Sequence, residues 1–244
     1  MKNINIDINA DVGEGIGNEK ELFPFISSCN IACGGHAGDY KTMLSTVRLA
    51  KKHDIKIGAH PSFKDKENFG RTILKFDRDE LLESLINQVE SLQEILKKEN
   101  VKLNHIKAHG ALYNLSTYDR KSAKTLIDLA KKIDTKLFVP YSTLISKMAK
   151  KEGVKIFNEL FIDRNYNSDL TLVSRKKPNA LINNSEKMFE HVKKIITRRI
   201  ITTINNENIS VEFDTLCIHG DSPNAIELIK DLHHKLKQIG IKIF

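Results

Sequence analysis

A chain of 244 residues, 40% hydrophobic and 29% charged with only five prolines, is long enough for one large α/β domain and excludes a disordered or fibrous protein. The net charge of +8 does not mark a nucleic-acid binder: lysines are spread over every helical segment among acids, and the pairs at 51–52, 97–98, 131–132 and 150–151 fall near predicted helix C-termini, where cations favour the helix dipole. No apolar stretch approaches a membrane span, MKNINIDINAD turns polar at once, and Cys29, Cys33 and Cys217 fit a reduced compartment, so a cytoplasmic protein with no nucleic-acid or membrane partner is expected.

In chain order, residues 3–9 alternate as a strand and end in the glycine-rich NADVGEG; 19–28 read as a short helix and 29–33 as a second strand. Residues 39–53 place Met43, Leu44, Val47 and Ala50 on one helical face behind Asp39 as N-cap. A strand at 54–59, a polar loop through Arg71 and a long amphipathic helix at 77–99 come next. A strand at 103–108 leads into a helix through 132, then a strand at 137–140, a helix at 141–151 and a strand at 154–161. An irregular stretch at 162–184 precedes a helix at 185–201, a strand at 213–218, a helix at 223–238 and the apolar tail IKIF. A loop of that length inside a compact domain is usually functional or disordered.

Seven strands alternating with helices imply a parallel sheet with right-handed crossovers. Neither GxGxxG nor GxxxxGK[ST] is present, which disfavours the open dinucleotide and P-loop sheets. Four of the nine histidines, His36, His60, His109 and His219, end short apolar runs beside a glycine or proline. Chemistry spread over so many strand ends favours a closed, seven-stranded parallel (β/α) barrel, TIM-like, as one domain over 1–244, since a barrel gathers all strand ends around one axis.

The polar residues at those ends are the candidate site. Asp7 and Asn9 share a strand face, and Asp11 and Glu14 continue past its end, where carboxylates can bind a metal, act as base or orient a histidine. His36 follows paired glycines that let the backbone approach a ligand, whereas Asp39 is explained by capping alone. His60 and Arg71 lie in GAHPSFKDKENFGR; a guanidinium is a two-pronged clamp for anions, although an arginine taken alone reads better as a surface residue. Lys107 and His109, two apart on a strand, point to one side, with Tyr113 beyond. Glu159, Asp163, Arg164, Tyr166 and Arg175 surround the long loop, where an adjacent Asp–Arg is as often a structural ion pair as a functional one. His219 and Asp221 close the set, while His53, His105, His191, His233 and His234 read as surface or packing residues. No nucleophile elbow supports a Ser-His-Asp triad.

The blocks DINADVGEG, NIACGGHAGD, GAHPSFKDKENFGR, KAHGALYN, DRNY…LVSR and IHGD, in this order from Asp7 to the C-terminus, resemble the LamB/YcsF family of 5-oxoprolinase A subunits. The resemblance implies a barrel similar to that of polysaccharide deacetylases and glycoside hydrolases. It also implies ATP-dependent opening of 5-oxo-L-proline to L-glutamate, with partner subunits B and C and with ATP, accompanied by magnesium, as co-substrate. On this reading Asp11, His36, His60, His109 and His219 are catalytic. Asn9, Arg71, Lys107, Tyr113, Asp163, Arg164 and Arg175 bind substrate or phosphate. The chain departs from the family pattern at Phe63, Lys64, Asn68, Thr72, Ala108, Leu170 and Ser174, two of which (Asn68 and Leu170) replace glycines. Two alternatives stand beside this reading. One is a metal-dependent amide or carbohydrate deacetylase-like hydrolase with Asp11, His36 and His60 on a divalent metal. The other is a non-catalytic subunit that binds and delivers substrate.

Overall fold

Strict alternation along each apolar run decides how this chain folds, because successive strand residues face opposite sides. The computed structural model describes residues 4–220 and 224–244. Seven strands close into an all-parallel barrel, numbered here around it: β1 (Ile8–Val12), β2 (Ser28–Ala32), β3 (Lys56–His60), β4 (His105–Ile106), β5 (Lys136–Pro140), β6 (Ile156–Phe161) and β7 (Thr215–Ile218), with β7 pairing back on β1. Outward positions such as Ile8, Ala10, Ile31, Ile57, Ala59, Ile106, Leu216 and Ile218 are fully buried under the helices. The other face of the same strands carries Asn9, Asp11, Asn30, His60, His105, Glu159 and Thr215, bonded to one another across the interior. The apolar core is therefore the shell between strands and helices, and the barrel interior is a polar lattice.

The main helices are α1 (Tyr40–Lys52), α2 (Arg78–Lys98), α3 (Arg120–Ile133), α4 (Leu144–Lys151), α5 (Ser185–Arg198) and α6 (Ala225–Gln238). Asp39 caps α1 as expected and Asp77 caps α2, each accepting main-chain N–H groups of the first turn. All four predicted lysine pairs occupy last helical turns.

Several boundaries differ from the sequence reading; the helix expected at 19–28 is helical only over Glu19–Leu22, with a 3₁₀ turn at Phe23–Phe25 before β2 starts at Ser28. The segment predicted as one strand over 3–9 is two, Ile4–Ile6 and β1, and the first pairs in parallel with Ile241–Ile243 of the apolar tail. The predicted helix through 132 is interrupted after a short helix at Gly110–Leu115, because Asp119 caps a new start by accepting the Ser122 N–H at 2.7 Å. The predicted helix 185–201 stops at Arg198, where Arg199 takes a left-handed φ of 55°, and Ile200–Thr202 turns into a hairpin with Asn208–Ser210. The strand predicted at 103–108 shrinks to two paired residues, although the Lys107 and His109 N–H groups extend its ladder to Ala59 O and Pro61 O.

At the N-terminal end of the barrel Asp7 accepts the hydroxyls of Ser27, Ser28 and Thr215 and lies 3.3 Å from Lys56 Nζ. That network belongs to the barrel floor and keeps Asp7 away from the strand C-termini. The Ile4–Ile6/Ile241–Ile243 pair closes the same end, with Ile6 and Ile241 both buried. Truncating Ile241 to alanine should cost about 2–4 kcal/mol in urea unfolding; an unchanged unfolding midpoint would show that the terminal pair does not support the floor.

Candidate functional site

At the C-terminal end of the strands a cavity of about 980 Å³ opens. Of the residues singled out in the sequence, Asp11, His60, Arg71, Lys107, His109, Tyr113, Glu159, Arg164, Tyr166, Arg175 and His219 line it. Asn9, His36 and Asp163 are buried behind that lining, and Asp221 lies outside the described residues.

Three histidines and a carboxylate converge on one side. Glu14 Oε1 lies 2.9 Å from His36 Nε2, 3.4 Å from His109 Nδ1 and 3.9 Å from His60 Nε2. His60 Nε2 and His109 Nδ1 are 3.0 Å apart, and the His36 and His109 rings stack at 3.6 Å. The second nitrogen of each ring fixes its tautomer. His60 Nδ1 donates to Lys107 O at 2.8 Å and His109 Nε2 donates to Phe69 O at 2.9 Å. His36 Nδ1 donates to Ser62 Oγ at 3.0 Å, whose own proton goes to Phe63 O at 2.8 Å. The nitrogens turned inward are therefore lone pairs in the neutral rings.

Burial, reinforced by the neighbouring His60 charge, pushes both His36 and His109 down to about 3. Burial alone would lower His60 as well, but the Asp11 carboxylate, with Oδ2 at 3.4 Å, reverses the balance and raises it. Without another cation, the proton of the cluster belongs on His60.

The donor set also fits a divalent metal. The four ligand atoms lie within 4.8 Å of one another. A tetrahedral zinc ion with bonds of about 2.0–2.1 Å would want them roughly 3.3 Å apart. Histidines anchored through their second nitrogen to carbonyl or hydroxyl oxygens are the usual outer support of such a site. The converging set differs from the sequence-based triad of Asp11, His36 and His60: Glu14 and His109 join the two histidines, and Asp11 stands beside His60. The difference arises because Asp11 is held by other partners. Its Oδ1 accepts from Asn30 Nδ2 at 2.8 Å and Lys107 Nζ at 3.0 Å. Burial would raise the Asp11 carboxyl, but the His60 and Lys107 charges outweigh it and hold it well below the usual carboxylate range.

Lys107 is 2% exposed and reaches Asp11, Glu159 at 3.0 Å, Asn9 at 3.4 Å and Cys217 Sγ at 3.1 Å. Burial opposes its charge, but Asp11, Cys217 and Glu159 more than compensate, so it stays an ammonium. Its three N–H groups are shared among these protein acceptors, which makes it the tie between two buried carboxylates. Asn9 and Tyr113 complete the same frame, donating to Glu159 at 2.9 and 2.6 Å.

Across the cavity, Asp163 accepts both the backbone N–H of His219 at 3.2 Å and its Nδ1–H at 3.0 Å, forming an Asp–His dyad whose Nε2 has no hydrogen-bond partner among the described residues. Burial would raise Asp163, and the adjacent His219 and Arg164 lower it. Arg164 bonds Val173 O and Ala180 O, bracing the long loop. Arg71 and Arg175 are exposed on the rim, Arg71 lying 5.0 Å from the Phe69 ring centre.

The loop 65–71 supplies the support for His109. Asn68 replaces the family's glycine by bonding Asp65 Oδ1 through its side chain at 2.8 Å and its N–H at 3.2 Å. Phe69 is held at φ 54° with its carbonyl toward His109, an uncommon conformation for a bulky side chain. Leu170, at the other glycine departure, also takes a left-handed φ of 63°. His105, expected as a surface or packing residue, lies fully buried against Asn30. Glu14 is only weakly signalled in the sequence because it sits beyond its strand in a glycine loop, where period-two reasoning stops.

The family model for LamB/YcsF matches residues 6–244. The chain belongs to the LamB/YcsF family. The proteins named as 5-oxoprolinase A subunits in Thermococcus sibiricus and Pyrococcus furiosus are 39% and 37% identical to this family member, over 98% of its length and 96% of theirs. The crystal structure of the lactam utilization protein from Thermus thermophilus superposes with a TM-score of 0.93 at 33% identity, covering 98% of this LamB/YcsF chain and 99% of that one. A family 4 carbohydrate esterase from Streptomyces lividans shares the fold at a TM-score of 0.52 and 9% identity, with 99% of this chain and 92% of that one covered. Among the described residues no helix is long and apolar enough to cross a membrane.

Gly70 tests how tightly the cluster is built. At φ 62°, a Cβ there would meet His36 Cβ at 2.9 Å and His109 Cδ2 at 3.0 Å. Gly70→Ala should cost about 1–3 kcal/mol and perturb the His36 and His109 signals in NMR spectra. Unaltered spectra and stability would mean the loop does not set the cluster.

Proposed function

We propose that this chain is the A subunit of an ATP-dependent 5-oxoprolinase, acting as one barrel domain with partner subunits B and C in the cytoplasm. In this reaction 5-oxo-L-proline is opened to L-glutamate as ATP, with magnesium, becomes ADP and phosphate. The names of the full-length relatives support the reading. The observation that carries it is a cavity with a proton-holding carboxylate–histidine cluster on one wall and an Asp–His dyad on the other.

A lactam is a stabilised amide, so opening it requires a base for water, stabilisation of the developing oxyanion and an acid for the departing nitrogen. Asp11, kept anionic beside the protonated His60, takes the proton of the attacking water. His219, keeping its Nδ1–H on Asp163, takes a proton from solvent at Nε2 and passes it to the ring nitrogen. Arg71 and Arg175 on the rim, with Arg164 behind, bind the carboxylate and phosphate groups. Lys107, Asn9 and Tyr113 keep Asp11 and Glu159 in place beneath the substrate.

A second reading is favoured by the Glu14–His36–His60–His109 cluster, namely a metal-dependent amide hydrolase that needs no ATP. A divalent metal there would acidify a bound water and polarise the amide oxygen.

Glutamate and ADP release from 5-oxoproline, measured with the two partner subunits with and without this chain, separates these readings. Coupled production only when the chain is present supports the lactamase; chelator-sensitive glutamate release without ATP supports the metal hydrolase. No turnover, with the partners shown competent beside the corresponding barrel protein of a relative, contradicts the proposal.

Single variants extend the test. His219→Asn should lower turnover about 10²–10⁴-fold in steady-state kinetics with little change in KM, and full activity would remove His219 from proton transfer. Glu14→Gln should weaken zinc binding about 10–100-fold in a titration with zinc alone, and unchanged affinity would exclude Glu14 as a ligand.

A further inference from the structure

The buried imidazole of His105 serves none of the steps above, yet the barrel is built around it. Its ring is fully buried and stacks on Phe138 at 3.7 Å, with an interplanar angle of 4°. On the neighbouring strand β3 the facing residue is Gly58, where an added Cβ would fall 2.1 Å from His105 Nε2. A glycine weakens a strand interior, and here it marks close approach by another group.

The contacts of that ring lead to the candidate base. His105 Nε2 lies 2.6 Å from Asn30 Oδ1. Asn30 Nδ2 in turn lies 2.8 Å from Asn9 Oδ1 and 2.8 Å from Asp11 Oδ1. Because the Asp11 carboxylate only accepts, the orientation of the Asn30 amide is settled, and its oxygen must face His105. Burial, with the Lys136 and Lys107 charges, keeps the imidazole neutral, so it carries one N–H. Asn30 Oδ1 requires that hydrogen on Nε2. Asn104 Oδ1 lies 3.1 Å from Nδ1, and flipping that amide, whose oxygen and nitrogen are assigned by the hydrogen-bond network, presents its N–H to the remaining lone pair.

We infer that His105 is a positioning residue: its Nε2–H locks the Asn30 amide, and Asn30 aims the Asp11 carboxylate at His60 and the cavity. The link is indirect, two hydrogen bonds long, and it leaves the substrate-facing groups untouched. Its kinetic consequence rests on the role proposed for Asp11, whereas its structural consequence does not.

His105→Phe keeps the stack on Phe138 and removes the N–H; His105→Gln returns an amide N–H. In the phenylalanine variant the Asn30 side-chain amide hydrogens should exchange with solvent faster than in the wild type, and kcat in the reconstituted lactamase should fall about tenfold, the scale of losing such outer support. KM should stay within about twofold, and the glutamine variant should recover most of both effects. A folded phenylalanine variant with unchanged Asn30 exchange and unchanged kcat overturns the inference. If the wild type itself opens no lactam, the function proposal fails, and Asn30 exchange alone decides the positioning role. Should the phenylalanine variant not fold, the wild-type His105 tautomer decides by ¹⁵N NMR: a neutral Nε2–H ring supports the relay, and Nδ1–H overturns it.

Discussion

Three imidazole nitrogens and one carboxylate oxygen face one another at the mouth of the barrel, and the neutral rings place no hydrogen between them. Imidazole lone pairs turned toward one another and toward a carboxylate favour a positive charge among them, because a charged partner offsets the hydration that buried acceptors lose. The positive charge can be a proton on His60 or a divalent cation. Either way the loops must hold His36, His60 and His109 by their second nitrogens, through Ser62, Lys107 O and Phe69 O. The left-handed Phe69 and the small Gly70 are consequences of that demand.

The same logic extends down the barrel. Interiors of such barrels are commonly filled with branched apolar side chains, whereas this one is threaded by Asn30, Asn9, Lys107, Glu159 and Thr215 in continuous hydrogen-bond contact. Stability comes from the outer shell, where the alternate strand residues meet the helices. The inner face is free to act as a rigid support for charges, and a fully bonded network in a low-dielectric interior fixes geometry more firmly than isolated pairs. Lys107 shows the trade most clearly: its burial is tolerated because Asp11 and Glu159 are buried with it.

Much of this is legible in the sequence. The seven apolar runs, the cap Asp39 and the strand-end histidines depend on local periodicity and spacing, which a single chain displays directly. The pairing of Ile4–Ile6 with Ile241–Ile243 is not legible, because nothing local joins two ends of a chain. Glu14 and His105 are only weakly signalled for a related reason. A loop carboxylate and a mid-barrel imidazole take their meaning from neighbours 22 and 75 residues away, His36 and Asn30. Asp7 misleads in the other direction: a buried strand carboxylate does need partners, but it finds them among the hydroxyls of the barrel floor.

The direct test of the converging lone pairs is a ¹⁵N NMR titration of the histidine side chains in the metal-free protein. The account requires His36 and His60 to carry their neutral-ring hydrogen on Nδ1 and His109 on Nε2, with His36 and His109 remaining neutral down to about 3. Added zinc should then shift Nε2 of His36, Nε2 of His60 and Nδ1 of His109 together. Ordinary titration of His36 and His109 near neutral pH with mixed tautomers, and no common response to zinc, would contradict it.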